Sequence, residues 1–168
     1  MGDVISRSKS VEKLHVLAGL NDRGEEVLDE LTVVPLPDRT FRLTQTPPLA
    51  MGLAAGDLVR VDPNSHQFEV LEHGGNLAVL VTAPQEMEGR VRRDLGEQLR
   101  AIGGSLDDYV RGELAVFTVP VAPGFPAIEA ILNTFAESRP GVAWYYANVY
   151  DPVTDEPLRW WEASRQDA

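Results

Sequence analysis

The feature that most restricts the fold is a change of period just after Asn76. Residues 77–83 (LAVLVTA) are apolar without a break for the length of one strand, and then Met87, Val91, Leu95, Leu99 and Ile102 repeat on a single helical face. The expected helix, residues 86–102, closes at Gly103-Gly104, where glycine accepts the left-handed cap conformation. Residues 106–110 and 114–119 read as two strands around Arg111-Gly112-Glu113. Pro123-Gly124-Phe125-Pro126 opens a second helix with Ile128, Ile131, Leu132 and Phe135 inward, and residues 142–149 (VAWYYANV) form an aromatic strand. The order strand, helix, strand, strand, helix, strand predicts a βαββαβ split unit over residues 76–150, of the ferredoxin-like kind. Its four strands would lie antiparallel with both helices on one face.

The chain ahead of that unit has a shorter rhythm. Residues 14–20, 25–34, 40–43, 57–61 and 66–71 alternate as strands, divided by turn sequences at 21–24 (NDRG), 36–39 (LPDR) and 62–65 (DPNS). Thr46-Pro47-Pro48 breaks the pattern before a Gly- and Ala-rich passage that is expected to be a loop or one helical turn. Residues 14–75 are thus expected to form a small curled antiparallel β-sheet or half-barrel, and the whole is an α+β protein. Residues 1–13 read as a flexible leader and residues 151–168 as an acidic tail bearing Trp160-Trp161. Adjacent tryptophans on a strand would face opposite ways, so one is expected on the body and the other at an interface or on the surface.

Charge and cysteine content narrow the function classes. The 168 residues contain no cysteine, which removes disulfides, thiolate metal sites and thiol nucleophiles together. No apolar run has the length of a signal core or a membrane span, so no membrane partner and a cytoplasmic location are expected. The net charge is −11, divided as −5 over residues 1–76, −3 over 77–150 and −3 over 151–168. Nucleic-acid binding requires a basic face, and none of these segments supplies one. The strand loop 111–118 (RGELAVFT) begins like an RNA-recognition signature, yet Glu113 and Ala115 stand where stacking aromatics would be needed. A cationic protein is the better matched partner.

Catalytic constellations are harder to find. His15, His66 and His73 have carboxylates nearby in Glu12, Glu69 and Glu72, but none has metal-ligand spacing, and all three read as surface or turn residues. Neighbouring acids on a strand point to opposite faces, so Asp107-Asp108 is no dyad by spacing alone. No nucleophile elbow, phosphate loop or dinucleotide fingerprint occurs. The arginines of the first helix are expected to pair with its acids along the exposed face. No catalytic residue, cofactor or metal is expected. The candidate partner-binding residues are Asp107, Asp108, Asp155, Glu156, Trp160 and Trp161.

Three segments carry a family resemblance: residues 40–63 (TFRLTQTPPLAMGLAAGDLVRVDP), 73–81 (HGGNLAVLV) and 99–120 (LRAIGGSLDDYVRGELAVFTVP). On these the chain resembles the bacterial family known as domain of unknown function 4265, over about residues 14–150. Leu31 stands where a tryptophan is usual in that family, and Gly104 where a cysteine is common. The resemblance implies an intracellular bacterial protein and assigns no catalytic residue. By analogy with other small acidic bacterial proteins, the expected function is non-enzymatic: an immunity-type inhibitor that neutralises a cationic protein toxin. One alternative is a small-molecule-sensing or regulatory module with a pocket between the two halves near residues 52–57. A second is a hydrolase using a His/carboxylate pair.

Overall fold

The computed structural model describes residues 10–84 and 89–162. Its first five strands are β1 (Glu12–Leu20), β2 (Glu26–Leu36), β3 (Thr40–Leu43), β4 (Leu58–Val61) and β5 (Phe68–Glu72). They pair antiparallel in chain order. The first hairpin forms because the Asn21 carboxamide oxygen accepts the Arg23 and Glu25 N–H groups, both at 2.9 Å, while Gly24 takes φ 77°. The sheet curls far enough for the Leu17 N–H to donate to the His66 carbonyl at 2.8 Å, which ties β1 to the turn before β5. Val16, Leu31, Val33, Leu43 and Val59 fill its inner face.

The second sheet contains β6 (Asn76–Thr82), β7 (Ser105–Val110), β8 (Leu114–Pro120) and β9 (Ala143–Tyr146), with α1 (Gly89–Arg100) after β6 and α2 (Phe125–Glu137) after β8. Its order is β7-β8-β6-β9, and every neighbouring pair is antiparallel. Leu77, Val79 and Val81 pack against Leu95 and Leu99 of α1 and Ile128 and Leu132 of α2, which puts both helices on one face. The alternate residues Ala78 and Leu80 pack on the other face with Ala54 and Ala147. Burial on both faces is why β6 reads as an unbroken apolar run. Gly103, at φ 95°, ends α1, and the Gly104 N–H reaches back to the Leu99 carbonyl at 2.8 Å.

Several expected boundaries move. Glu12 and Lys13 pair with Val33 and Thr32, so the end of the expected leader belongs to β1. Residues 1–9 of that leader, 163–168 of the tail and 85–88 at the start of the first helix lie outside the described residues. The last strand is shorter than residues 142–149, although the Ala147 N–H still donates to the Ala78 carbonyl at 2.8 Å. Arg92 stands over the Tyr109 ring, 3.8 Å from its centroid, and two of the acids expected to pair along the helix, Glu86 and Glu88, lie outside the described residues.

Residues 45–57 form neither strand nor helix, yet they pack between the two sheets. Leu53 and Ala50 join the first core, and Ala54 joins the cluster under β6. Three carboxylates take up the backbone donors that regular structure would otherwise pair. Asp107 accepts from the Thr46 N–H at 2.8 Å, Asp29 from Leu49 and Ala50 at 2.9 Å each, and Asp57 from Ala54 at 3.0 Å. Further bonds run from the Gly52 N–H to the Ala147 carbonyl and from the Asn76 amide to the Ala55 carbonyl, both 2.8 Å. The passage is the seam of the molecule.

Candidate functional site

The end of β9 and the start of α2 bring three aromatic side chains together, Phe125, Trp144 and Tyr146. Gly124, at φ 95°, turns the chain into α2 and sets Phe125 in its first turn, with Glu129 one turn later on the same side. Period-two alternation puts Trp144 and Tyr146 on the helix side of β9. Trp144 donates its indole N–H to the Asn133 side chain at 2.9 Å, and the Tyr146 hydroxyl donates to Glu129 Oε2 at 3.0 Å. Burial and that hydrogen bond, with the Glu129 charge, hold the Tyr146 phenol far above its ordinary value. It therefore remains a neutral donor.

The tail closes the other side. Asp151 accepts the N–H groups of Val153 at 2.8 Å and Thr154 at 3.0 Å, and Tyr150 pairs with Pro157 across the turn. This brings Trp160 and Trp161 back onto the body. Phe125 lies 5.6 Å from Tyr146 at 84° and 5.2 Å from Trp161 at 71°, so two rings stand nearly upright beside a third. Together with Tyr150, Val149, Pro157 and Glu129 they line a cleft of about 220 Å³. Asp155 and Glu156, both exposed, lie on the turn that ends at one of its walls. Aromatic faces with a carboxylate can hold an alkylammonium or guanidinium group by cation–π attraction and charge.

The six expected partner residues separate. Trp161, half-buried, lines this cleft, and Asp155 and Glu156 flank it. Trp160 belongs to the core instead: it is 8 % exposed, donates its indole N–H to the Asn148 carbonyl at 2.7 Å and stacks on His73. Asp107 is also withdrawn from the surface set, because its carboxylate is occupied by the Thr46 N–H and by the Thr118 and Ser105 hydroxyls. Asp108 is exposed but sits on β7, the edge opposite β9, and lines a polar cavity with Asp29, Thr46 and Pro47. It shares no face with the tail acids.

The histidines take two places. His73 Nδ1 is 3.7 Å from the fully buried Asp57, beyond hydrogen-bond reach, and both Asp57 oxygens already accept backbone N–H groups, from Ala54 and from Gly74. His73 is therefore half-buried, where a surface or turn position was expected, because Trp160 covers its ring. His15 and His66 do converge, at the mouth of the curled first sheet, and the nearest carboxylate is Glu30, 3.6 Å from His15 Nε2. Among the described residues no three His, Asp or Glu side chains are grouped to hold a metal ion. Near residues 52–57, where a pocket between the halves was expected, Leu53 and Ala54 are fully buried, because the loop itself packs between the halves. Sequence reading missed Phe125, Glu129, Tyr146 and Tyr150, although an aromatic strand followed by a Pro- and Trp-bearing tail is a signal for them.

Comparison with known proteins gives fold and family. No curated protein matches the chain. A hypothetical protein from Neisseria gonorrhoeae, known as a crystal structure, is similar with a TM-score of 0.60 at 18% identity, covering 83% of this chain and 94% of that one. At this identity the likeness concerns the fold. No helix among the described residues is long and apolar enough to cross a membrane. The model of the family described as Domain of unknown function (DUF4265) matches residues 29–142, and the chain belongs to that family.

Proposed function

We propose that this chain, built as a curled half-barrel followed by a ferredoxin-like split unit, is a non-enzymatic acidic binding protein whose partner is a cationic protein. In its concrete form it is an immunity-type inhibitor that neutralises a cationic toxin. One observation carries the reading: the acid-flanked aromatic cleft between Phe125, Tyr146, Tyr150 and Trp161, with Glu129 in its wall. A lysine or arginine from the partner enters the cleft, its charge meets the ring faces and Glu129, and Asp155 and Glu156 extend the field toward solvent. The net charge of −11 supports attraction of such a partner before contact. The exposed apolar side chains of the tail, Val153 and Leu158, supply part of the water-excluding surround that binding hot spots require.

The experiment is co-expression with the product of the adjacent gene, followed by titration of the purified pair. Rescue of growth and a complex weakened about tenfold by Trp161→Leu or Glu129→Gln, but not by Asp108→Asn, is the expected result. A neighbour that is neither toxic nor bound removes the immunity reading. Equal responses of Trp161 fluorescence to n-butylammonium and to neutral n-butanol would remove the cleft as a cation site.

A further inference from the structure

At the mouth of the curled first sheet lies a cavity of about 430 Å³ that the cationic-partner reading does not use. Its floor is apolar and opens on the core of the sheet through Leu14, Phe41 and Val61. Its rim carries Lys13, His15, Arg39 and His66, and no carboxylate lines it. Four basic side chains around one opening run against the charge of a protein at −11. A neighbouring cavity shares Arg39 but sets it and Arg60 among Asp38, Asp62 and Glu69, so its charge is mixed where that of the mouth is basic. The Lys13 ammonium donates to the Thr32 hydroxyl at 2.8 Å with Glu30 3.8 Å away, and Glu30 is 3.6 Å from His15, while Arg39 forms no ion pair with any described residue.

The backbone holds this rim in place at some cost. Arg39 has φ 58° and His66 has φ 62°, left-handed conformations that bulky side chains rarely adopt. The Thr40 hydroxyl, bonded to the Pro37 carbonyl at 2.9 Å, fixes the turn that carries Arg39. His66 is fixed from both sides, by its N–H on the Asp62 carbonyl at 2.9 Å and its carbonyl on the Leu17 N–H at 2.8 Å. Asn or Gly would fit either position with less strain, so these side chains are placed where the local chain does not favour them.

We propose that this mouth binds a small carboxylate with an apolar body, the carboxylate held by Arg39 with the Lys13 charge beside it and the apolar part lying on Leu14, Phe41 and Val61. Barrel mouths are a usual place for such ligands, and the cavity has the size of a small-molecule site. The Arg39 guanidinium, without an ion-pair partner among the described residues, supplies the planar fork that a carboxylate matches with two hydrogen bonds. The mouth belongs to the first sheet and the aromatic cleft to the second, so either can fail without the other.

The test is an amide-resolved NMR titration of the full chain with octanoate, octylamine, 1-octanol and acetate. Octanoate is expected to move the amide signals of Leu14, Phe41 and Val61, with 1-octanol and acetate each at least about tenfold weaker and octylamine without effect on these three signals. Arg39→Asn is the informative variant, since asparagine tolerates the left-handed backbone. It should lose octanoate affinity about tenfold or more while its melting temperature stays level or rises. Lys13→Gln, on a regular strand, should lose affinity without a change of fold. Octylamine moving the Leu14, Phe41 and Val61 signals as strongly as octanoate does, or octanoate affinity unchanged in both variants, overturns the proposal. No octanoate response at the mouth in the folded wild-type chain overturns it too.

Discussion

At the residue scale, the acidity of the chain has two separate meanings. Asp29, Asp57 and Asp107 face inward and hold the N–H groups of an irregular passage, whereas Asp155 and Glu156 face solvent. Asp57 shows the first role most clearly, since it is fully buried and accepts from both Ala54 and Gly74. Asp57→Ala leaves two donors without partners and should cost about 2–6 kcal/mol, at roughly 1–3 kcal/mol for each buried donor. Asp57→Asn keeps one acceptor and should cost clearly less. Urea unfolding monitored by far-UV circular dichroism measures both, and equal losses would show that the hydrogen bonds to the N–H groups are not the source. None of this could be read from Gly56-Asp57-Leu58 alone. An aspartate after glycine in a turn is ordinarily exposed, and only the fold brings the Ala54 and Gly74 N–H groups onto it.

At the scale of elements, the tail depends on one turn. Hydrogen bonds from the Thr154 and Val153 N–H groups hold the Asp151 carboxyl below its ordinary value of 3.8. A carboxyl lowered in the folded state contributes stability that is fully present above 3.8 and is lost as pH falls through the lowered folded value. The Asp151→Ala variant should therefore melt lower than wild type at neutral pH, and the difference should vanish under strongly acid conditions. Trp160 and Trp161, nine and ten positions along the chain from Asp151, report the turn through their fluorescence. A difference that persists unchanged into acid would mean that Asp151 is not the source. The strands and helices themselves were legible, because period and turn chemistry are local: β3 falls on residues 40–43 as the alternation of TFRL requires. The tail was legible in part. Proline spacing and the WW pair signalled a return to the body, but which tryptophan became core depended on the Asn148 carbonyl waiting for an N–H.

At the scale of the whole molecule, the seam decides how the halves behave. Gly74 lies so close to Gly56 that a Cβ on it would meet the Gly56 backbone carbon at 2.5 Å. Backbone cannot yield as a side-chain tip can, so Gly74→Ala should destabilise by about 1–3 kcal/mol. All three tryptophans lie in the second half, so fluorescence reports that half while far-UV circular dichroism reports both. The two signals should unfold in one coincident transition, and Gly74→Ala should lower both midpoints together. Separate transitions would show that the seam does not couple the halves.

What the chain determined by itself is the list of elements and their order. Each follows from residues within one turn or one strand of each other, as in the NDRG hairpin, the glycine stop of α1 and the doubly buried run of β6. The sites were decided by tertiary structure, because they join residues far apart in sequence. Asp107 reaches Thr46 across 61 positions, and Tyr146 reaches Glu129 across 17. Whether a carboxylate becomes a buried staple or a charged rim depends on which backbone N–H groups the fold delivers to it, and no local pattern contains that information.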